Sequence, residues 1–161
     1  MPNREDYDKF LADVRKETGI EAMTADESGL VTIRVDDTYN VNLQFVEATG
    51  RVLCFVGVAE LPTDSPKEIY RDLLAGGLFG KETAGGYFAL ETKSGLVVYN
   101  YFFDLDKVAE DVEEFVHAIE KILQLCDFWA KRIKAALSEP ASRSEDESLI
   151  GEFFHGHHIV P

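Results

Sequence analysis

The sequence predicts an α+β domain: an antiparallel sheet with element order α-β-β-β-α-β-β-α and a long C-terminal helix packed on the sheet. Three observations carry that prediction. Between positions 30 and 59, three strand-like runs are parted by connections of only a few residues. Between positions 87 and 103, two aromatic and β-branched runs flank Lys93-Ser94-Gly95, a hairpin signal. From Val108 to Leu137, apolar residues recur at steps of three and four over about eight turns of helix.

In order along the chain, Glu5 to Thr18 reads as a short amphipathic helix with Tyr7, Phe10, Leu11 and Val14 on its apolar stripe. Gly19 stops it. Four apolar positions make a thin stripe, so this helix depends on docking and is expected to be the most mobile element. Leu30 to Val35 and Tyr39 to Val46 alternate in the manner of half-buried strands. Val52 to Ala59 is apolar on both faces. It is either central and covered twice, or it leaves one apolar face free for a partner. The short links Asp36-Asp37-Thr38 and Ala48-Thr49-Gly50 predict an antiparallel meander.

Ser65-Pro66-Lys67-Glu68 reads as a capping box with proline at the first helical position, where its missing N–H is not needed. Ile69, Leu73 and Leu74, with Tyr70 beside them, fall on one face of that helix, and Gly76-Gly77 offers it a left-handed end. Gly80, Gly85 and Gly86 keep the connection irregular until Tyr87 opens the second pair of strands. Asp104 and Asp106 are competing N-caps for the long helix. Its stripe runs through Val108, Val112, Phe115, Ile119, Ile122, Cys126, Trp129, Ile133 and Leu137. From Ser138 the chain turns polar and charged (SEPASRSEDES), which reads as a flexible tail, and then apolar again in LIGEFFHGHHIVP.

A chain of 161 residues with 45% hydrophobic content fits one domain with a real core, spanning residues 1–137, followed by the 138–161 tail. A net charge of -14 argues against nucleic acid, whose phosphates need clustered Lys and Arg, and against docking on an anionic membrane. It suits a protein that stays dispersed while showing apolar surface to a partner. Cys54 and Cys126 lie in apolar runs, which favours buried free thiols in a reducing compartment. MPNREDYDKF lacks the apolar core of a signal peptide, and no run approaches the roughly 20 apolar residues of a membrane helix. The expected location is cytoplasmic.

Little in the sequence points to chemistry. Glu114 and His117 form the i, i+3 half of a carboxylate-bridged metal site, which would need a second such pair and two more carboxylates. His155, His157 and His158 lie in the tail without a fixed surrounding shell. No G-x-S-x-G elbow, GxxxxGK[ST] loop or GxGxxG turn occurs. With every histidine but one in the tail, histidine-based acid–base catalysis is disfavoured, and the chain is not expected to be an enzyme.

The order of elements on an acidic chain of this size resembles the class I type III secretion chaperones, the Tir-chaperone or CesT-like family. The resemblance covers about residues 5 to 137. It is strongest from Tyr70 to Phe79 (YRDLLAGGLF), and continues through Gly85 to Leu90 and the Leu96 to Phe103 strand. It ends at Phe115, Ala118, Trp129 and Ile133, where the family places a late tryptophan. The tail after Ser138 is a departure, since family members often lack it or keep it shorter.

The resemblance implies a non-catalytic homodimer that uses no ATP and no metal, and hence no cofactor. Its dimer interface would map onto Tyr70, Leu73, Leu74, Leu78, Phe79 and Tyr87. Apolar patches holding the extended N-terminal region of a secreted effector would map onto Phe10, Val14, Val31, Ile33, Val35, Leu43 and Phe45. The residues fit such a role on physical grounds too: an extended client adds a strand to an open sheet edge, and pockets take its alternate side chains. The alternative is a small α+β ligand-binding or enzymatic domain with an interior pocket. The two differ in where apolar surface lies: on open grooves, or around an enclosed cavity with convergent polar groups.

Overall fold

Alternating apolar residues and short turns give five strands: β1 (Leu30–Val35), β2 (Tyr39–Val46), β3 (Arg51–Glu60), β4 (Tyr87–Glu91) and β5 (Leu96–Asp104). They form one antiparallel sheet in the order β1-β2-β3-β5-β4, in a computed structural model that describes residues 1–138. Residues 139–161 lie outside the described residues, and with them the predicted tail and His155, His157 and His158. The first three strands are the expected meander. Asp36 and Asp37 both take left-handed φ in its first turn, which the Thr38 N–H closes by donating to the Val35 carbonyl at 3.0 Å.

The second hairpin does not extend that meander from its end. β5 pairs with β3 along nearly its whole length, and β4 is left as the outer edge. This makes β3 central. Val52, Cys54, Val56 and Val58 on one of its faces are buried, whereas Leu53 and Phe55 on the other are only half-buried. The doubly apolar strand is therefore covered by helices on one side only.

Helices α1 (Arg4–Thr18) and α4 (Val112–Ser138) supply that cover. α1 begins at a capping box between Asn3 and Asp6 and ends at Gly19, whose φ of 72° is left-handed. Its thin stripe is compensated by side-chain ties. The Tyr7 hydroxyl donates to the Gly29 carbonyl at 3.1 Å, Arg4 donates to the carbonyls of Asp26 and Glu27, and Arg15 donates to that of Met23. The docking on which this helix depends is thus made in part by bonds to the loop that follows it. Tyr7 stacks on Phe45 at 5.1 Å, and Phe10 meets Phe115 edge-on at 4.9 Å.

Two helical expectations need correcting. The long C-terminal helix is not continuous from Asp104: α3 (Leu105–Glu110) stops at Asp111, whose φ of -141° and ψ of 86° are non-helical. Asp111 Oδ1 then accepts the Glu114 N–H at 3.0 Å, so a third aspartate, and neither of the two predicted caps, starts α4. Asp104 instead faces Arg51 and Lys107. In α2 (Lys67–Gly76) the predicted capping box is absent, because the Ser65 hydroxyl donates backwards to the Pro62 carbonyl. Nor is the left-handed residue at Gly76 or Gly77. Gly77 has a φ of -75°, and the reversal comes later, at Phe79 and Gly80.

Cys54 and Cys126 are free and buried. Among the described residues no helix is long and apolar enough to cross a membrane.

Candidate binding surfaces

The most exposed apolar surface follows α2. Helix spacing divides its side chains: Ile69 and Leu73 turn into the core, while Leu74 on the neighbouring face is 77% exposed. A 3₁₀ turn at Leu78–Gly80 then carries Leu78 (60% exposed) and Phe79 (87% exposed) outward. Strand β4 brings Tyr87 and Leu90, also exposed, to the same place. Together these side chains border a cavity of about 500 Å³ lined by Tyr70, Leu73, Leu74, Gly77, Leu78, Phe79, Tyr87, Phe88, Ala89, Leu90 and Val97. All six residues expected at the dimer interface line it. Leu90, Phe88 and Val97 were missed. The sequence signal for Phe88 and Leu90 was the alternation in YFALE, which puts them on one side of β4; Val97 joins them through the observed pairing of Leu90 with Val97.

This surface is held in shape from behind by Trp129 of α4. Its indole N–H donates to the Glu82 carbonyl at 2.9 Å, and its ring meets Phe88 edge-on at 5.0 Å. Gly76 lies so close that a Cβ there would sit 2.5 Å from the ring. Arg132 stacks on Trp129 and pairs with Asp72 of α2 and Glu82 of the loop. The Tyr99 hydroxyl donates to the Thr83 carbonyl at 2.8 Å, and burial pushes its pKa well above the ordinary phenol range. Gly86 has no room for a Cβ beside that hydroxyl. The glycines of this segment thus permit close packing and build no anion cradle.

The second surface corrects an expectation. Phe10, Val14, Val31, Ile33, Leu43 and Phe45 do not form exposed patches: each is almost fully buried, and only Val35 is half-buried. The reason is that α1 and α4 lie side by side on this face of the sheet and close over it. What stays open is a cavity of about 440 Å³ where the end of α1, the loop after it, β1–β2 and α4 meet. Val14, Ile33, Val35 and Leu43 line it, with Ile20, Met23, Val41, Phe115, Val116, Ile119 and Leu123. Phe10, Val31 and Phe45 do not. The exposed side chains of Glu17, Glu113, His117 and Glu120 also border it. Of the α4 residues here, Phe115 and Ile119 were read as helix stripe and His117 as half of a metal motif with Glu114, and nothing in their spacing marked them as a groove wall. β1, beside this cavity, is an edge strand.

Both surfaces are suited to packing apolar side chains. Comparison with known proteins shows that the fold is shared with solved structures. The fold matches the crystal structure of the ExsC–ExsE complex with a TM-score of 0.69 at 18% identity, covering 81% of this chain and 96% of that one. It matches the structure of the HopA1–SchA chaperone–effector complex with a TM-score of 0.66 at 22% identity, over 81% and 99%. It also matches the heterodimeric ExoU–SpcU complex from the type III secretion system of Pseudomonas aeruginosa, with a TM-score of 0.55 at 16% identity, over 81% and 97%. No curated protein matches the sequence. The family model of the Tir chaperone proteins matches residues 9–130, so the chain belongs to the Tir chaperone protein (CesT) family.

Proposed function

We propose that this chain is a type III secretion chaperone that works without catalysis as a cytoplasmic homodimer, with residues 1–137 as its chaperone domain. It binds the extended N-terminal region of a secreted effector and keeps that effector soluble and competent for export. The observation that carries the reading is one face on which Leu74, Leu78, Phe79, Tyr87 and Leu90 stand exposed around an apolar cavity, on a chain of net charge -14. Exposed apolar side chains grouped in this way mark an interaction surface, and the negative charge keeps such a molecule dispersed.

The two surfaces divide the work. The α2–β4 face takes a second copy, through Tyr70, Leu73, Leu74, Leu78, Phe79 and Tyr87. The groove between α1, α4 and the β1–β2 edge takes the client, with Val14, Ile33, Val35 and Leu43 as its floor. An extended client pairs its backbone with the free edge of β1 and sends alternate side chains into the groove. Phe10, Val31 and Phe45 support that floor from within the core. The membership of the family and the fold shared with a chaperone–effector complex support this reading.

The test is limited proteolysis of the chaperone co-purified with a secreted effector of the same secretion system. The chaperone should protect a fragment near the effector's N-terminus, in a stable complex that needs no nucleotide. Protection of a folded effector domain, or no protection, would refute the reading.

A further inference from the structure

Phe79 combines two properties that rarely coincide. Its φ of 56° and ψ of 18° are left-handed, a region that aromatic residues seldom adopt. Its side chain is also the most exposed of the large apolar residues among those described. A folded chain gains nothing within one protomer from a strained backbone that displays a phenyl ring to water. Such outliers persist where the surroundings over-determine them, and they cluster at sites of recognition.

The surroundings here are rigid. On one side the Gly77 N–H donates to the carbonyls of Leu73 and Leu74, and the Gly80 N–H donates to that of Gly77. On the other, the N–H groups of Lys81 and Glu82 donate to the carbonyls of Leu78 and Gly76. Gly80 packs against the Gly85 backbone, at a separation that would put a Cβ 3.3 Å from it. The ring is presented on a fixed mount, and its ordering cost has been met before any partner arrives. The same face carries an apolar cavity of about 500 Å³ between α2 and β4, bordered by Leu74, Ala89 and Leu90. A knob and a hole on one surface are self-complementary, which is the requirement of a two-fold interface in which each copy gives what the other receives.

Resting on the homodimer reading above, we propose that Phe79 is the anchor of the dimer: each copy inserts its Phe79 ring into the α2–β4 cavity of the other. Rigid aromatic side chains seated in an apolar pocket carry most of the binding energy of such interfaces.

The experiment uses two variants of the full chain, with the dimer dissociation constant measured by analytical ultracentrifugation and the fold checked by circular dichroism. Phe79→Gly suits the left-handed backbone, so it removes the ring without stressing the protomer. Ala89→Trp, at an exposed position on β4, fills the cavity from the other side. Loss of one anchor weakens association by about 30-fold, and the symmetric pair loses two, so Phe79→Gly should raise the dissociation constant by about 1,000-fold. Ala89→Trp should weaken the dimer as well, with both spectra unchanged. A Phe79→Gly dimer as tight as the wild type would overturn the anchor and leave the dimer reading standing. A wild-type protein that is itself monomeric would instead remove the dimer reading. A Phe79→Gly variant that dimerises normally but loses its effector would assign the ring to the client and overturn the proposal.

Discussion

Gly76→Ala is the sharpest test of how α4 shapes the α2–β4 face. Alanine is the better helix former by about 1 kcal/mol, so at an ordinary helical position the change would stabilise the protein. At Gly76 the new methyl would lie 2.5 Å and 2.6 Å from two ring carbons of Trp129, and 3.2 Å from a carboxylate oxygen of Glu82. The ring has nowhere to go. Its N–H is bonded to the Glu82 carbonyl, Phe88 lies 5.0 Å away and Arg132 stacks at 4.8 Å. Forcing extra volume into so tight a contact costs up to about 3 kcal/mol, which leaves a net destabilisation of about 2 kcal/mol. With a urea dependence of about 2 kcal/mol per molar, the unfolding midpoint should fall by about 1 M at a fixed protein concentration. Gly77→Ala is the control, because Gly77 has a φ of -75° and its nearest neighbour to a Cβ would be a carbonyl oxygen at 3.4 Å. That variant should match the wild type or exceed it slightly. A Gly76→Ala protein as stable as Gly77→Ala would refute the claim that Trp129 is wedged against α2.

Ile33→Asp places a carboxylate at a position 6% exposed, so it should destabilise the fold by more than about 3 kcal/mol, seen as lost ellipticity on mild heating. A folded variant with its client affinity removed would show that the residue belongs to an accessible patch after all. Burial pushes the thiols of Cys54 and Cys126 up to about 12, so neither should react with a disulfide reagent at neutral pH in the native protein. Both should react after denaturation, and rapid native labelling would contradict their burial. The Asp127 carboxylate accepts from Lys131 at 2.7 Å and from Tyr39 at 2.9 Å, which holds its pKa below the usual range. A depressed folded pKa adds stability that is present above the unfolded value and lost as pH falls through the folded one. Thermal melts should therefore show less loss towards acid in Tyr39→Phe than in the wild type, and identical acid slopes would exclude the Tyr39 contribution.

What the sequence revealed was local. Alternation in LVTIRV and YNVNLQFV located β1 and β2 to the residue, because each has one buried face. The Leu74–Phe79 surface came from the family resemblance alone, because helix spacing set Leu74 on one face with Ile69 and Leu73, whereas Leu74 stands exposed and the other two are buried. Where β5 pairs was not legible, because Val97, Tyr99 and Phe103 serve equally well beside β3 or at an edge. The break at Asp111 was hidden by a 3–4 stripe that reads through it from Val108 to Phe115. Burial of Phe10, Val31 and Phe45 was also out of reach. It depends on α1 and α4 meeting over the sheet, through contacts such as Phe10 with Phe115, and an amphipathic stripe does not name its partner.

The central claim is that the apolar α2–β4 face is covered by a second copy of the chain. Light scattering after size exclusion, on protein at micromolar concentration, tests it most directly. The predicted mass is twice 18.0 kDa. A mass of one chain across the accessible concentrations would contradict it.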